Sequence, residues 1–209
     1  LEPDFDESET DAKKNNGFNI YDRETIIKAA FDYFQARGFP YPVMSKHVAM
    51  QQINKLSSID TSLMMNSFIA HSVADTYQQH MFHAAAFSMK SPIELFSDPR
   101  RFLKALNWLL NLNKDIPEEY ISLFGLMQGV QACSNFRPGV ACYFYKRFCN
   151  LDENIILDTS TGFGGRIVGF VASKVPGRYI GIDPSTKTHA GNIRMAEESI
   201  TVLASVAVS

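Results

Sequence analysis

The sequence predicts an α/β fold in which a helical amino-terminal region packs on the start of a parallel β-sheet. Three observations support this prediction. Apolar residues recur at helical spacing through most of residues 23–148. Two short apolar runs follow, at residues 155–157 and 179–182, and an acidic residue comes directly after each run. A glycine-rich turn and one short helical pattern separate the two runs, which is the order of a βαβ unit.

The first predicted helix follows a charged segment, residues 1–16, that contains few large apolar groups. We therefore expect a disordered acidic tail there. From Arg23 onwards the apolar residues fall at helical spacing. Gly38, followed by Pro40, supplies the expected end of this helix, because glycine favours the helix C-terminus and proline cannot continue it.

The rest of the helical region is predicted in the same way. Ser91 is the expected N-cap of a helix whose first turn contains Pro92. The second predicted helix spans residues 45–56, and three of its apolar residues are expected to face inwards: Val48, Ile53 and Leu56. Further helices are predicted for residues 62–88, 101–112, 118–130 and 140–148.

The two apolar runs at residues 155–157 and 179–182 are continuous rather than alternating, which is typical of parallel strands buried on both faces. The helix between them is predicted for residues 165–175, before Pro176. Residues 200–208 alternate in polarity like a strand. Three interpretations of this segment stay open: a third strand of the sheet, a pairing element for another segment, and residues without functional meaning.

The glycine-rich turn indicates a nucleotide-type cofactor. Asp158 is followed by Gly162 and Gly164, and Asp183 comes about 20 residues after them, where such folds bind ribose hydroxyls. A dinucleotide fingerprint would need a further glycine where Ile167 stands, and a P-loop would need Gly-Lys followed by Ser or Thr. An acid at the end of the first strand would repel a pyrophosphate. It favours a ligand with positive charge, such as S-adenosylmethionine.

The stretches LDTSTGFGGR and YIGIDP resemble the first two motifs of class I S-adenosylmethionine-dependent methyltransferases. The segment NFRPGVA is similar to the F-x-P-x-x-A segment of DNA methyltransferases. The resemblance implies a Rossmann-like class I methyltransferase sheet that begins in residues 135–209, after a helical region at residues 17–134. It also implies a set of cofactor-binding residues: Phe136, Pro138, Asp158, Thr159, Gly162, Gly164, Gly165 and Asp183.

The catalytic motif of this family is missing from the sequence. Amino-group DNA methyltransferases carry Pro-Pro followed by an aromatic residue, whose ring stacks on the extruded base, and this chain contains no Pro-Pro and no Pro-Cys. We therefore expect a fragment of an adenine-N6 or cytosine-N4 DNA methyltransferase, without catalytic residues of its own and inactive alone. DNA would bind through residues largely outside the chain. The alternatives are a non-catalytic nucleotide-binding or partner-docking module, or one half of a split enzyme.

Composition limits the other function classes. A net charge of −2 over 209 residues weakens the case for DNA binding by these residues alone, because phosphate contacts dominate affinity. Three cysteines without a C-x-x-C pair argue against a disulfide scaffold and favour a reducing, cytoplasmic environment. His71, His80 and His83 lack the spacing of a metal site. No uncharged apolar run is long enough for a membrane helix, so we expect no membrane partner.

Overall fold

The computed structural model of the chain describes residues 22–85, 89–111, 130, 133–200 and 206–208. It combines helices with a small parallel sheet. The elements in chain order are α1 (Arg23–Arg37), α2 (Lys46–Ser58), α3 (Thr61–Met64), α4 (His71–Asp75), a 3₁₀-helix (Gln79–His83), α5 (Pro92–Phe96), α6 (Pro99–Asn111), α7 (Pro138–Phe148), β1 (Asn154–Asp158), α8 (Gly165–Ser173), β2 (Gly177–Gly181), α9 (Thr186–Met195), a π-helix (Ala196–Ile200) and β3 (Val206–Val208).

Local capping explains the helix boundaries that the sequence predicted correctly. The Asp22 carboxylate accepts a hydrogen bond from the Thr25 backbone N–H at 2.9 Å and begins α1. Gly38 ends this helix with a positive φ of 82°. Ser91 and Glu94 form a reciprocal capping box at the start of α5, with proline in the first turn.

Within residues 62–88, where the sequence predicted further helices, the described part up to residue 85 contains short ones. The helices α3 and α4 and the 3₁₀-helix are separated by turns, and Ala70 precedes α4 with a left-handed φ of 63°. This break turns Phe68 outwards, and its side chain is 68% exposed. Val48 was predicted to face inwards and is 39% exposed, whereas Ile53 and Leu56 are buried as predicted.

Two predictions fall on residues outside the described part of the chain. The tail at residues 1–16 is one, and the helix at residues 118–130, apart from residue 130, is the other. The helix predicted for residues 101–112 is confirmed as α6, and the one predicted for residues 140–148 is confirmed as α7.

The βαβ prediction is confirmed. β1 pairs with β2 in parallel, with Leu157 opposite Ile180, and α8 connects the two strands. β3 adds to β2, again in parallel, and gives the strand order β1-β2-β3. Of the interpretations left open for residues 200–208, the third strand is therefore the one observed, at Val206–Val208.

The expectation that the strands are buried on both faces is wrong. Tyr179 is fully buried on the face that packs against α8, and Ile156 is partly buried there. On the opposite face Ile155 is 68% exposed and Leu157 is 62% exposed. The described elements cover one face of this parallel sheet and leave the other open to solvent.

Two hydrophobic clusters hold the elements together. The first joins α2, α3 and α4 to α7, α8 and the buried side of the sheet. It therefore contains residues from both sides of position 134, where the helical region was predicted to end. The second joins α1, α5 and α6 to the 3₁₀-helix. Within the first cluster Gly169 allows α7 and α8 to approach closely, since a Cβ there would lie 2.5 Å from the Cβ of Ala141. Among the described helices, none is long and apolar enough to cross a membrane.

Candidate functional site

The glycine-rich turn lies at the carboxyl ends of β1 and β2, where parallel sheets of α/β proteins bind ligands. Backbone hydrogen bonds connect the two strand ends: the Ile182 N–H donates to the Asp158 carbonyl at 2.9 Å, and the Thr161 N–H donates to the Ile182 carbonyl at 2.9 Å. The Thr161 hydroxyl donates to the same Ile182 carbonyl at 3.1 Å. The turn is thereby fixed across the sheet edge. Thr159 lies exposed at its start.

Asp158, at the end of β1, is held by side chains. Arg166 donates to its two carboxylate oxygens at 2.7 and 3.1 Å, and the Tyr179 hydroxyl donates to one of them. The Asp158 and Arg166 side chains are only 12% and 26% exposed. Burial acts to raise the pKa of Asp158, but the hydrogen bonds from Arg166 and Tyr179 outweigh it and hold this pKa below its ordinary value. The negative charge is therefore already matched within the protein.

Asp183, just after β2, is held by backbone amides instead. One of its carboxylate oxygens accepts the Gly162 N–H at 2.8 Å, and the other accepts the Ser185 N–H at 2.9 Å. A carboxylate has about four lone-pair sites, so two amide donors leave room for further donors. Both donors are neutral and do not cancel the charge. The structure thus brings the predicted ribose acceptor directly against the glycine turn.

The three glycines of the turn have different surroundings. Gly162 and Gly164 adopt positive φ values of 58° and 88°, which glycine allows because it has no Cβ. A Cβ on Gly162 would meet only the Ser160 carbonyl, at 3.8 Å. A Cβ on Gly164 would lie 2.6 Å from the Asn192 side chain, and one on Gly165 would collide with the Phe136 carbonyl. Glycine at positions 164 and 165 is therefore required by contacts with the protein itself.

Phe136 and Pro138, the other predicted cofactor residues, lie beside the turn. The Phe136 ring is 41% exposed, and the Arg166 guanidinium lies over it at 5.2 Å from the ring centre. Pro138 is buried and occupies the first turn of α7. The structure therefore brings the predicted site residues to one edge of the sheet, with Phe136 available at the surface and Pro138 acting through the helix that supports it.

A buried polar network that the sequence did not reveal supports the turn. The Asn135 side-chain oxygen accepts the Gly165 N–H at 3.0 Å, which caps the amino terminus of α8. Asn192 of α9 donates to the Gly162 carbonyl at 2.9 Å. Gln78 in turn donates to Asn192 at 2.8 Å. The two residues of each hydrogen bond lie 30, 30 and 114 residues apart in the chain, respectively, so no local sequence pattern predicts these bonds.

His80 is a further residue of the site that sequence reasoning missed. Its Nε2 lies 3.0 Å from the Thr188 hydroxyl, and its ring centre is 5.7 Å from that of Phe163 in the glycine turn. Burial, followed by repulsion from Lys187, lowers the pKa of His80, while attraction to Asp183 acts in the opposite direction. The 3₁₀-helix thus places an imidazole beside the Asp183 end of the turn.

The histidines show no metal chemistry in the part of the chain that the structure describes. No group of three or more potential ligands from histidine, cysteine, aspartate and glutamate lies together there. His71 instead approaches buried Asp75 at 4.0 Å, and His83 hydrogen-bonds the Tyr41 hydroxyl at 2.9 Å.

Comparisons of the chain with protein-family models, with curated proteins and with solved structures found no match. Functional inference therefore depends on the site geometry.

Proposed function

We propose that this chain carries the cofactor-binding part of an S-adenosylmethionine-dependent DNA methyltransferase that acts on an exocyclic amine, adenine N6 or cytosine N4. Its sheet would be the start of a Rossmann-like class I methyltransferase sheet. One observation carries the proposal: the Asp183 carboxylate accepts the Gly162 N–H at 2.8 Å while its charge stays unmatched by any cation among the hydrogen bonds the structure describes. A ribose acceptor and a glycine turn then belong to one site.

The residues present fit the cofactor. Asp183 keeps lone pairs for ribose hydroxyls, and a Cβ on Gly162 would approach only the Ser160 carbonyl, at 3.8 Å. The exposed Phe136 ring offers an apolar cover. When bound, S-adenosylmethionine supplies an activated methyl group on its sulfonium. The chain's own contribution is to position this ligand. The positioning of two reactants accounts for a large part of catalysis in bimolecular reactions.

Asp158 was expected to favour the positive charge of the ligand, but its carboxylate is bound by Arg166 of the chain itself. Their ion pair, at 2.7 Å, fixes the start of the turn against α8, and Arg166 also donates to the Ser160 carbonyl. A ligand ammonium or carboxylate would have to compete with these bonds. We therefore assign the cofactor's ribose to Asp183 and a positioning role to Asp158.

The proposal is tested by calorimetric titration of S-adenosylhomocysteine, the demethylated cofactor, into the wild-type chain and Asp183→Ala. Loss of a charged acceptor should weaken binding by about 1.5–3 kcal/mol, or roughly ten- to a hundredfold. Asp152→Ala is the matched control, because it removes an exposed carboxylate just before β1. Absent binding to folded wild type, or equal affinities for all three proteins, would overturn the proposal.

A further inference from the structure

The helical region contains a concave site, separate from the glycine turn. A cavity of about 760 Å³ opens between the end of α1, the loop that follows it, α2 and residues 68–79. Small-molecule sites typically enclose about 300–1,000 Å³. We call this cavity the aromatic pocket, defined by six of its lining residues: Tyr33, Arg37, Tyr41, Phe68, His71 and Thr76.

Two aromatic rings of the pocket are unusually accessible. Phe68 is 68% exposed and Tyr33 is 39% exposed, although both are large rings that folding normally buries. The Arg137 guanidinium lies over Phe68 at 5.4 Å, and the Arg37 guanidinium lies over Tyr33 at 5.0 Å. Rings of this kind, combined with arginine, are the surfaces on which unpaired nucleic-acid bases stack.

The charges and polar groups of the lining favour an anionic ligand with hydrogen-bonding edges. The described residues that line the pocket include Arg37 and His71 but no aspartate or glutamate. His71 approaches Asp75 at 4.0 Å, yet this acid is only 2% exposed. Gln52 and Gln79 add side-chain amides to the lining.

The backbone of the pocket wall is strained at one position. Ala70 lines the pocket with a left-handed φ of 63°, which costs a non-glycine residue free energy and is found most often at functional sites. This conformation precedes α4 and accompanies the outward orientation of Phe68.

We propose that the aromatic pocket binds a nucleotide whose base is unpaired, as part of a single-stranded or locally opened DNA. The rings stack on the base and the side-chain amides meet its polar edge. Arg37 is exposed and donates one N–H to the Tyr33 hydroxyl at 2.7 Å, and its other N–H groups bind the phosphate. A free nucleotide shares this chemistry and is the other source of the same ligand. The choice of DNA as the ligand rests on the proposed function. The evidence for the pocket itself comes from residues outside the glycine turn.

The experiment measures fluorescence anisotropy of a labelled 12-nucleotide single-stranded DNA of mixed sequence. Phe68→Leu removes the stacking ring at an exposed position, and Phe148→Leu is the matched control. Phe148 is 66% exposed and lies under Arg147 at 5.6 Å, outside the pocket. Phe68→Leu should bind roughly five- to a hundredfold more weakly than wild type, and Phe148→Leu should bind like wild type.

A second pair of variants keeps the test independent of Phe68. Arg37→Gln should weaken single-strand binding, whereas Arg100→Gln, an exposed arginine at the start of α6, should not. Direct binding of deoxyadenosine monophosphate, measured by calorimetry, to a wild type that fails to bind the single strand would support the pocket and identify a free nucleotide as its ligand. Absent binding of both ligands to wild type, or equal effects within each pair of variants, would overturn the proposal.

Titration of S-adenosylhomocysteine into Phe68→Leu separates the two proposals. Unchanged cofactor affinity with weakened DNA binding supports a pocket distinct from the glycine turn. Wild type that binds the cofactor but neither nucleotide ligand overturns the pocket alone, and wild type that binds DNA but no cofactor overturns the proposed cofactor site alone.

Discussion

The two ends of the glycine turn hold their acids in different ways. Asp158, at the β1 end, is held by an arginine and a tyrosine. Asp183, at the β2 end, is held by two backbone amides, one of them from Gly162, where an added Cβ would meet only the Ser160 carbonyl. A matched charge stabilises the fold, whereas an unmatched one remains available to a ligand. The difference separates the end of the turn that supports the fold from the end to which we assign the ligand.

Substitution of the turn glycines should give the largest effect on stability, because the protein surrounds Gly164 more closely than Gly162. Gly164→Val should lower the free energy of unfolding by about 2–5 kcal/mol, because the side chain meets Asn192 and Met195 and the backbone is left-handed. Gly162→Ala should cost about 1 kcal/mol, since only the backbone is strained. Urea denaturation of both variants measures the contrast. Equal losses would show that the two glycines have equivalent surroundings.

Asp158→Ala should lower the free energy of unfolding by about 2–3 kcal/mol. The substitution leaves the Arg166 guanidinium and the Tyr179 hydroxyl without their partner in a partly buried location. Asp152→Ala, at an exposed position, should change stability by less than about 0.5 kcal/mol. If the denaturation midpoint of Asp158→Ala equalled that of wild type, the β1 end of the turn would not have the supporting role.

The stability of the chain should also depend on pH through Asp158. Because its folded-state pKa lies below the unfolded value of about 3.9, its contribution is present above that value and is lost as pH falls through the folded pKa. Asp158→Asn removes this titration. Thermal melts of wild type and Asp158→Asn should therefore converge as pH falls below about 4, and a constant difference between pH 7 and pH 3 would exclude this carboxylate as a source.

Asp183→Ala gives the smallest expected effect on folding. The variant loses two hydrogen bonds to amides that can reach solvent, so stability should fall by about 1 kcal/mol while cofactor affinity falls at least tenfold. Asp183→Asn retains one side-chain oxygen as an acceptor. Its stability and its cofactor affinity should both lie between those of wild type and Asp183→Ala. A stability loss as large as that of Asp158→Ala would remove the distinction between the two ends.

The sequence by itself determined the local features of this protein. Asp22, Ser45 and Ser91 mark helix starts because a side-chain oxygen can bond amides two or three residues ahead. The position of the glycine turn and the βαβ order were also predictable, since backbone conformation and hydrophobic period are encoded within short segments.

The tertiary structure decided what depends on residues far apart in the chain. The sequence indicated that Asp158 belongs to the turn, but only packing paired it with Arg166 and Tyr179. The same holds for Gln78 and His80, which meet α9 more than 100 residues later. The continuous apolar run of β1 could not reveal which face stays exposed, because every side chain in it is equally hydrophobic and only the layer that packs on the sheet distinguishes them.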